Sequence, residues 1–245
     1  MTTVAVLCDP PRPGLVFDDL VDALPLSPEA AADLYAALFR DSVRAVAGSG
    51  GDLLVNYRSS EALPGGGDPE ADLREAVADV VDPKEVRFER QVGESFAGRA
   101  GNTATHLLEN EGVASVAVTR PEAAFLARSH IDGSAMKLRS TDTVLGPAPG
   151  GRMYFAAFSE PVDFADCYAP PAFETLVDRT LDAGLDVEFL ETKPYLETPA
   201  DLADVLVSVR TRRKAEGLVP PYLAGWVADS GLVVEATGDG LDVTR

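Results

Sequence analysis

Two arginines occupy positions where an anionic ligand would be met. Arg120 ends the apolar run Val113–Val118 and directly precedes Pro121, which the sequence marks as the first residue of a helix. Open α/β sheets bind ligands at the carboxyl ends of their strands, and a helix N-terminus there adds amide donors. Arg152, in the turn Gly150-Gly151-Arg152, approaches from the other side of the same edge. A guanidinium grips a phosphate or carboxylate through two parallel hydrogen bonds, so such a pair suits an anion. The competing reading is that each arginine pairs with one of the chain's many carboxylates, and the sequence leaves both open.

The first loop has the opposite sign. Asp9, Asp18, Asp19 and Asp22 fall within fourteen residues, with Arg12 the one cation near them. They read either as a solvated acidic loop or as a cation site. Gly98-Arg99-Ala100-Gly101-Asn102 offers backbone amides to an anion but matches neither a P-loop nor a dinucleotide fingerprint. His106 and His130 fall inside and at the end of helical patterns and read as surface or cap residues. Cys8 and Cys167 form no metal-spaced or redox pair, and the sequence carries no G-x-S-x-G or H-E-x-x-H element.

The elements that must hold these residues follow from periodicity. Val4–Cys8 is a β-branched run stopped by DPPRPG, and Ser27-Pro28 opens a helix over 28–47. A strand at Leu53–Tyr57, a loop through SSEALPGGGDPE and a helix near 69–81 come next. Then follow Val86–Glu89 as strand, Glu94–Glu109 as helix, Val113–Val118 as strand and Pro121–Ile131 as helix. Four β-then-α units in series imply a mainly parallel, right-handed sheet.

The second half reads as mixed. Asp142–Leu145 and Tyr154–Phe158 are strands around GPAPGGRM, followed by a helix near 171–183, a strand at Val187–Leu190 and a helix near 199–214. Residues 207–245 supply a C-terminal helix and an edge strand at Gly231–Ala236, with Trp226 as a packing anchor. No repeat or linker divides the chain, so the expectation is one α/β domain over residues 1–245.

Charge bounds the partners. With 21 Lys and Arg against 40 Asp and Glu the net charge is −19, which disfavours nucleic acid and anionic membranes. The acids are spread along the chain and only four cations are lysines, a pattern that suggests a halophilic cytoplasm; the alternative is an ordinary acidic protein. Molar salt shortens the Debye length to about 3 Å and so removes the self-repulsion of such a surface. The N-terminus MTTVAVLC lacks a basic segment before its short apolar run and reads as a core strand rather than a signal peptide, so the expected location is cytoplasmic.

The element order, together with four fragments, resembles the nucleotide-diphospho-sugar transferase fold of GT-A type glycosyltransferases. The fragments are VAVLCDPPRPGLVFDDL, FERQVGESFAGRA, DTVLGPAPGGRMYF and ETPADL, spanning residues 4–206. They are most similar to the glycosyltransferase-like family called selenodomain-associated transferase 1. The resemblance implies a Rossmann-like three-layer fold, and a nucleotide or nucleotide-sugar as ligand. Read together with the strand-end argument above, the expected nucleotide or phosphate contacts are Arg120, with Arg152 and Arg12 as secondary cations, and Gly14, Gly150 and Gly151.

Departures from the family shape the functional expectation. Where the family has a Lys before the prolines and a Lys-Thr-Arg triplet after them, this chain has Asp9 and Phe17-Asp18-Asp19. The family's Asp-Cys-Pro reads Thr119-Arg120-Pro121, its Glu-Asp-Gly-Gly-Tyr-Tyr reads Pro149-Gly150-Gly151-Arg152-Met153-Tyr154, and its Asp-x-Asp-Thr-Pro reads Tyr195-Leu196-Glu197-Thr198-Pro199. The carboxylates for Mg²⁺ or Mn²⁺ are thus replaced, and no metal cofactor is expected. The first expectation is a nucleotide-binding or regulatory pseudoenzyme. The alternatives are an active, metal-independent nucleotide-sugar or nucleotidyl transferase using Arg120 and Arg152, and a non-catalytic interaction scaffold.

Overall fold

The structure, a computed structural model, describes residues 1–238 and 240–245. Its centre is β1 (Thr2–Cys8), buried along its whole length and flanked in parallel by β2 (Asp52–Tyr57) and β4 (Ser115–Thr119). A strand covered on both faces needs no polar alternation, which is why Val4–Cys8 reads as a continuous apolar run. β3 (Arg87–Arg90) extends the parallel half beyond β2. On the other side β6 (Arg152–Phe158) runs antiparallel to β4 and to β5 (Thr143–Ala148), and β7 (Val187–Phe189) closes the sheet parallel to β5. The order is β3-β2-β1-β4-β6-β5-β7, a mainly parallel sheet with a mixed second half. The chain leaves β1 toward β2 and β3 and returns on its other side as β4, so the order reverses between β1 and β4. That is where open α/β sheets form a ligand crevice.

Helices cover both faces. α2 (Pro28–Ala47), α3 (Pro69–Ala76) and α5 (Arg128–Lys137) pack through Phe39, Val43, Leu73 and Ile131 against Val4, Val6 and Cys8. α4 (Phe96–Thr105) and α6 (Ala172–Asp182) pack through Ala100, Ala104 and Leu176 against Ala5, Leu7 and Val118. Gly101 lets α4 approach closely, since a Cβ there would stand 2.6 Å from the Cβ of Phe164. Ser27 and Ser95 cap α2 and α4 by accepting from the amides of Ala30 and Gly98.

A further layer lies outside α2. α1 (Asp18–Ala23), α7 (Pro199–Lys214) and α8 (Pro221–Asp229) bury Leu20, Leu202, Leu206 and Leu223 against Leu34 and Leu38. α2 is therefore apolar on two sides, one toward the sheet and one toward α7 and α8. Trp226 anchors this layer as expected, its Nε1 donating to the carbonyl of Ala30 at 3.1 Å.

Three expectations are corrected. The C-terminal strand does not edge the main sheet: among the described residues β8 (Val233–Thr237) pairs only with β9 (Gly240–Thr244), in a separate two-stranded sheet packed on α7. Nor does a helix start at Pro121. Residues 120–127 form successive turns, with Ala123 N donating to Arg120 O and Leu126 N to Ala123 O, and helix α5 begins only at Arg128. Ala123 and Leu126 join the core under the sheet, whereas Ala124 and Phe125 join the outer layer, and the carbonyl of Glu122 is taken by Ala124 N and Leu196 N rather than by the amide four residues on. The helix near 69–81 is shorter than the sequence suggests, ending at Ala76, while the stretch from Glu94 continues past α4 as a π-turn over His106–Asn110. No described helix is long and apolar enough to cross a membrane.

Candidate functional site

The residues that follow three parallel strands converge at the switch point. Asp9 follows β1, Arg58 follows β2 and Arg120 follows β4. Asp9 holds Arg58 in a bidentate pair, with Arg58 Nε 2.6 Å from Oδ1 and Nη2 2.5 Å from Oδ2, and the Asp9 amide donates to Tyr35 Oη at 3.0 Å. Arg99, in the first turns of α4, completes a narrow crevice of about 30 Å³ that Cys8, Asp9, Phe96 and Arg120 also line. Its Nη1 donates to Glu94 O at 2.9 Å, its Nε is buried without a partner, and it makes no salt bridge among the described residues. Burial and the charge of Arg58, reinforced by Arg120 and opposed by Asp9, hold the Arg99 guanidinium below the ordinary arginine value. In a chain of net charge −19, this point carries locally positive potential.

Arg120 joins this crevice to a larger cavity of about 260 Å³. Phe96, Tyr168 and Tyr195 form its aromatic walls, with Arg120 4.8 Å from the Phe96 ring centre and Arg152 5.7 Å from that of Tyr195. Phe96 and Tyr168 meet edge to face at 4.7 Å, and the Tyr168 hydroxyl is buried with no partner. Glu197 bridges the two arginines, 3.4 Å from each. Arg152 is further held bidentately by Asp201 at 2.7 Å on both arms, and Asp201 also accepts from Thr198 at the start of α7. Although burial opposes it, these donors keep the Asp201 carboxyl below the usual carboxylate range.

Arg120 is tied inward as well. Its Nη2 lies 2.5 Å from Oε1 of Glu122, a carboxylate whose side chain is 6% exposed and whose Oε2 has no partner. Burial pushes the Glu122 carboxyl upward against the pull of Arg120, while Glu122 and Glu197 keep Arg120 firmly charged despite its own burial. The carbonyl of Glu122 accepts from Leu196 N at 2.9 Å, which ties the 120–127 turns to the segment carrying Tyr195 and Glu197.

The structure thus brings Arg120 and Arg152 into one cavity and keeps the other expected contacts apart from it. Both readings of these arginines hold at once: each faces the cavity and each pairs with carboxylates. Arg12 turns away to Asp72 and the carbonyl of Gly66, both at 2.5 Å. Gly14 sits in the first loop with φ +73°, and Gly150 and Gly151, at φ +75° and +70°, make the turn between β5 and β6. Arg120 lacks the helix N-terminus that Pro121 suggested, and the N-terminus bordering the crevice is that of α4. Asp18, Asp19 and Asp22 are solvated on α1. His130 caps α5, its Nδ1 accepting from Ala127 N, and His106 is half exposed beside Glu111.

Sequence reasoning missed Arg58 and used Arg99 only for its backbone. The signal was present in both cases: Arg58 occupies the same position after its strand that Arg120 occupies after β4, and Arg99 stands one turn inside a Ser-capped helix.

Asp9, Glu122, Glu197 and Asp201 are each engaged by an arginine, and no group of three His, Cys, Asp or Glu is placed to share a metal among the described residues.

No family model matches the sequence, and a search of curated proteins finds no relative. Solved structures do match. A protein of Desulfovibrio desulfuricans described as a nucleotide-diphospho-sugar transferase is 20% identical, with TM-score 0.70 over 93% of this chain and 96% of that one. A nucleotidyl transferase from Methanothermobacter is 14% identical, with TM-score 0.51 over 89% and 99%. A 4-diphosphocytidyl-2C-methyl-D-erythritol synthase from Anaerococcus prevotii is 10% identical, with TM-score 0.51 over 85% and 96%. The fold is that of nucleotide-diphospho-sugar and nucleotidyl transferases.

Proposed function

From that fold, we propose that the chain binds a nucleotide or nucleotide-sugar at the β1–β4 crevice with arginines in place of a metal, and that it is a nucleotide-binding protein without metal-dependent transfer chemistry. One observation carries the reading: every carboxylate at the site is paired with an arginine, while Arg99 is left without one. A nucleotide diphosphate brings about two to three negative charges that must be matched by cations and amide donors. Arg58, Arg99 and Arg120 supply the charge, and the N-terminal amides of α4 the donors. The aromatic cavity then receives the group attached beyond the phosphates, against the rings of Phe96, Tyr168 and Tyr195.

Calorimetry against the four nucleoside triphosphates and UDP- and GDP-sugars, at fixed high salt with and without Mg²⁺, tests this. Binding of at least one ligand with equal affinity in EDTA supports the reading. A strict requirement for Mg²⁺, or silence across the panel, overturns it. The unpaired Arg99 also favours a second reading, metal-independent transfer, because a free guanidinium can stabilise charge that develops on a departing phosphate. Release of product from any bound nucleotide-sugar in EDTA would select that reading over simple binding.

A further inference from the structure

A second cleft, of about 560 Å³, lies outside this site between the C-terminal end of α2, the turns before α5 and the connection from α7 to α8. Its volume is in the range of about 300–1,000 Å³ typical of small-molecule sites. The floor is apolar, formed by Phe125 and Leu126, and Leu218 stands 94% exposed at the rim. Leu218 lines the cleft together with Phe125 and Leu126, so it is placed to meet an apolar body seated there.

Cations outnumber acids along this cleft. Arg44, Arg128, Lys193 and Arg212 line it with only Asp41 and Glu191 opposing them. Arg128 is paired with Asp132 at 2.9 Å, Lys193 with Glu191 at 2.6 Å, and the Asp41 carboxylate accepts from the amides of Tyr222 and Leu223. Arg212 is steadied over the Phe125 ring at 5.1 Å, and neither it nor Arg44 has a carboxylate within salt-bridge distance among the described residues. Two arginines without a salt-bridge partner thus flank one apolar floor, an arrangement complementary to an anion with an apolar body.

We propose that this cleft is a second ligand site, for a small organic anion that carries a phosphate or carboxylate on an apolar body. Arg44 and Arg212 take the anionic group, and Phe125, Leu126 and Leu218 take the body. Neither inorganic phosphate nor a neutral ring satisfies both halves of the cleft, so the site discriminates by requiring the two together.

Titration calorimetry with 1-naphthyl phosphate as probe, at one fixed salt concentration, tests the proposal. The wild-type protein should bind it at least tenfold more tightly than inorganic phosphate or 1-naphthol. The double variant Arg44→Gln/Arg212→Gln should lose tenfold or more, and Leu218→Asp, at a fully exposed position, should weaken binding without affecting the fold. Arg99→Gln should bind the probe as wild type does. Absence of saturable binding, affinity unchanged in both the double variant and Leu218→Asp, or loss in Arg99→Gln instead, would each overturn the assignment.

Discussion

At the scale of single residues, the site is a set of arginines sorted by their partners. Arg99 is the guanidinium without a carboxylate, and its removal breaks no ion pair. Arg99→Gln should therefore fold as wild type and lose about 1.5–3 kcal/mol of nucleotide affinity, roughly ten- to more than hundredfold, as read by calorimetry at constant salt. Arg120 is different, because Glu122 behind it is buried and pairs with no other cation among the described residues. Arg120→Ala should cost about 3–5 kcal/mol of folding stability by stranding that carboxylate, and adding Glu122→Gln should restore much of it. Urea midpoints of the two variants, compared in molar KCl, check this; equal midpoints would show that Glu122 is neutral already. The position of Arg120 at a strand end is legible in the sequence, since the run before it is apolar and a proline follows. Its pairing with Glu122 and Glu197 is not, because one partner sits in an irregular turn and the other arrives from far along the chain.

At the scale of elements, apolar runs and caps are legible because they are local. β1, β4 and β5 fall where short apolar runs place them, and α2 and α7 begin at Ser27-Pro28 and Thr198-Pro199. What periodicity does not show is an element serving two layers. The turns over 120–127 have a helix's composition but split their apolar side chains between two cores. α2 likewise carries a buried acid, Asp41, which caps α8 by accepting from Leu223 N at 2.8 Å and Tyr222 N at 3.1 Å. Burial pushes its carboxyl up to about 6, against the two amide donors and Arg44 that favour the charge. A folded value above the unfolded one means that the native state binds the proton more tightly. This contribution is thus fully present below about pH 4 and lost as pH rises through 6. Wild type should lose on the order of 2–3 kcal/mol as pH rises from 4 to 7, whereas Asp41→Asn, which removes the charge but keeps only one of the two acceptor oxygens, should lose none of it. Asp41→Ala, which strands two amides, should be less stable than Asp41→Asn at every pH. Denaturation curves from pH 4 to 7 would test both, and a pH-independent difference between wild type and Asp41→Asn would refute the assignment.

At the scale of the whole molecule, charge governs the conditions under which the fold persists. A net charge of −19 on 245 residues repels itself whenever screening is weak. Stability should fall as KCl is lowered from about 2 M to 20 mM, where the Debye length grows from about 2 to 20 Å. Circular dichroism melts across that series would show it, and a salt-independent melting temperature would remove the argument.

The hydrogen bond from Leu196 to Glu122 has a consequence at this scale too. It joins two segments that both run from one cleft to the other: 120–127 carries Arg120 at the front and Phe125 behind, and 191–197 carries Lys193 behind and Tyr195 at the front. The two clefts thus share a partition. Free energy around a closed cycle sums to zero, so the factor by which a rear ligand alters front affinity equals the factor by which a front ligand alters rear affinity. Where the partition couples the two sites, the ligand identified first serves as the reporter for the other, by titrating one against a fixed excess of its neighbour; an unchanged affinity would show that the sites are independent.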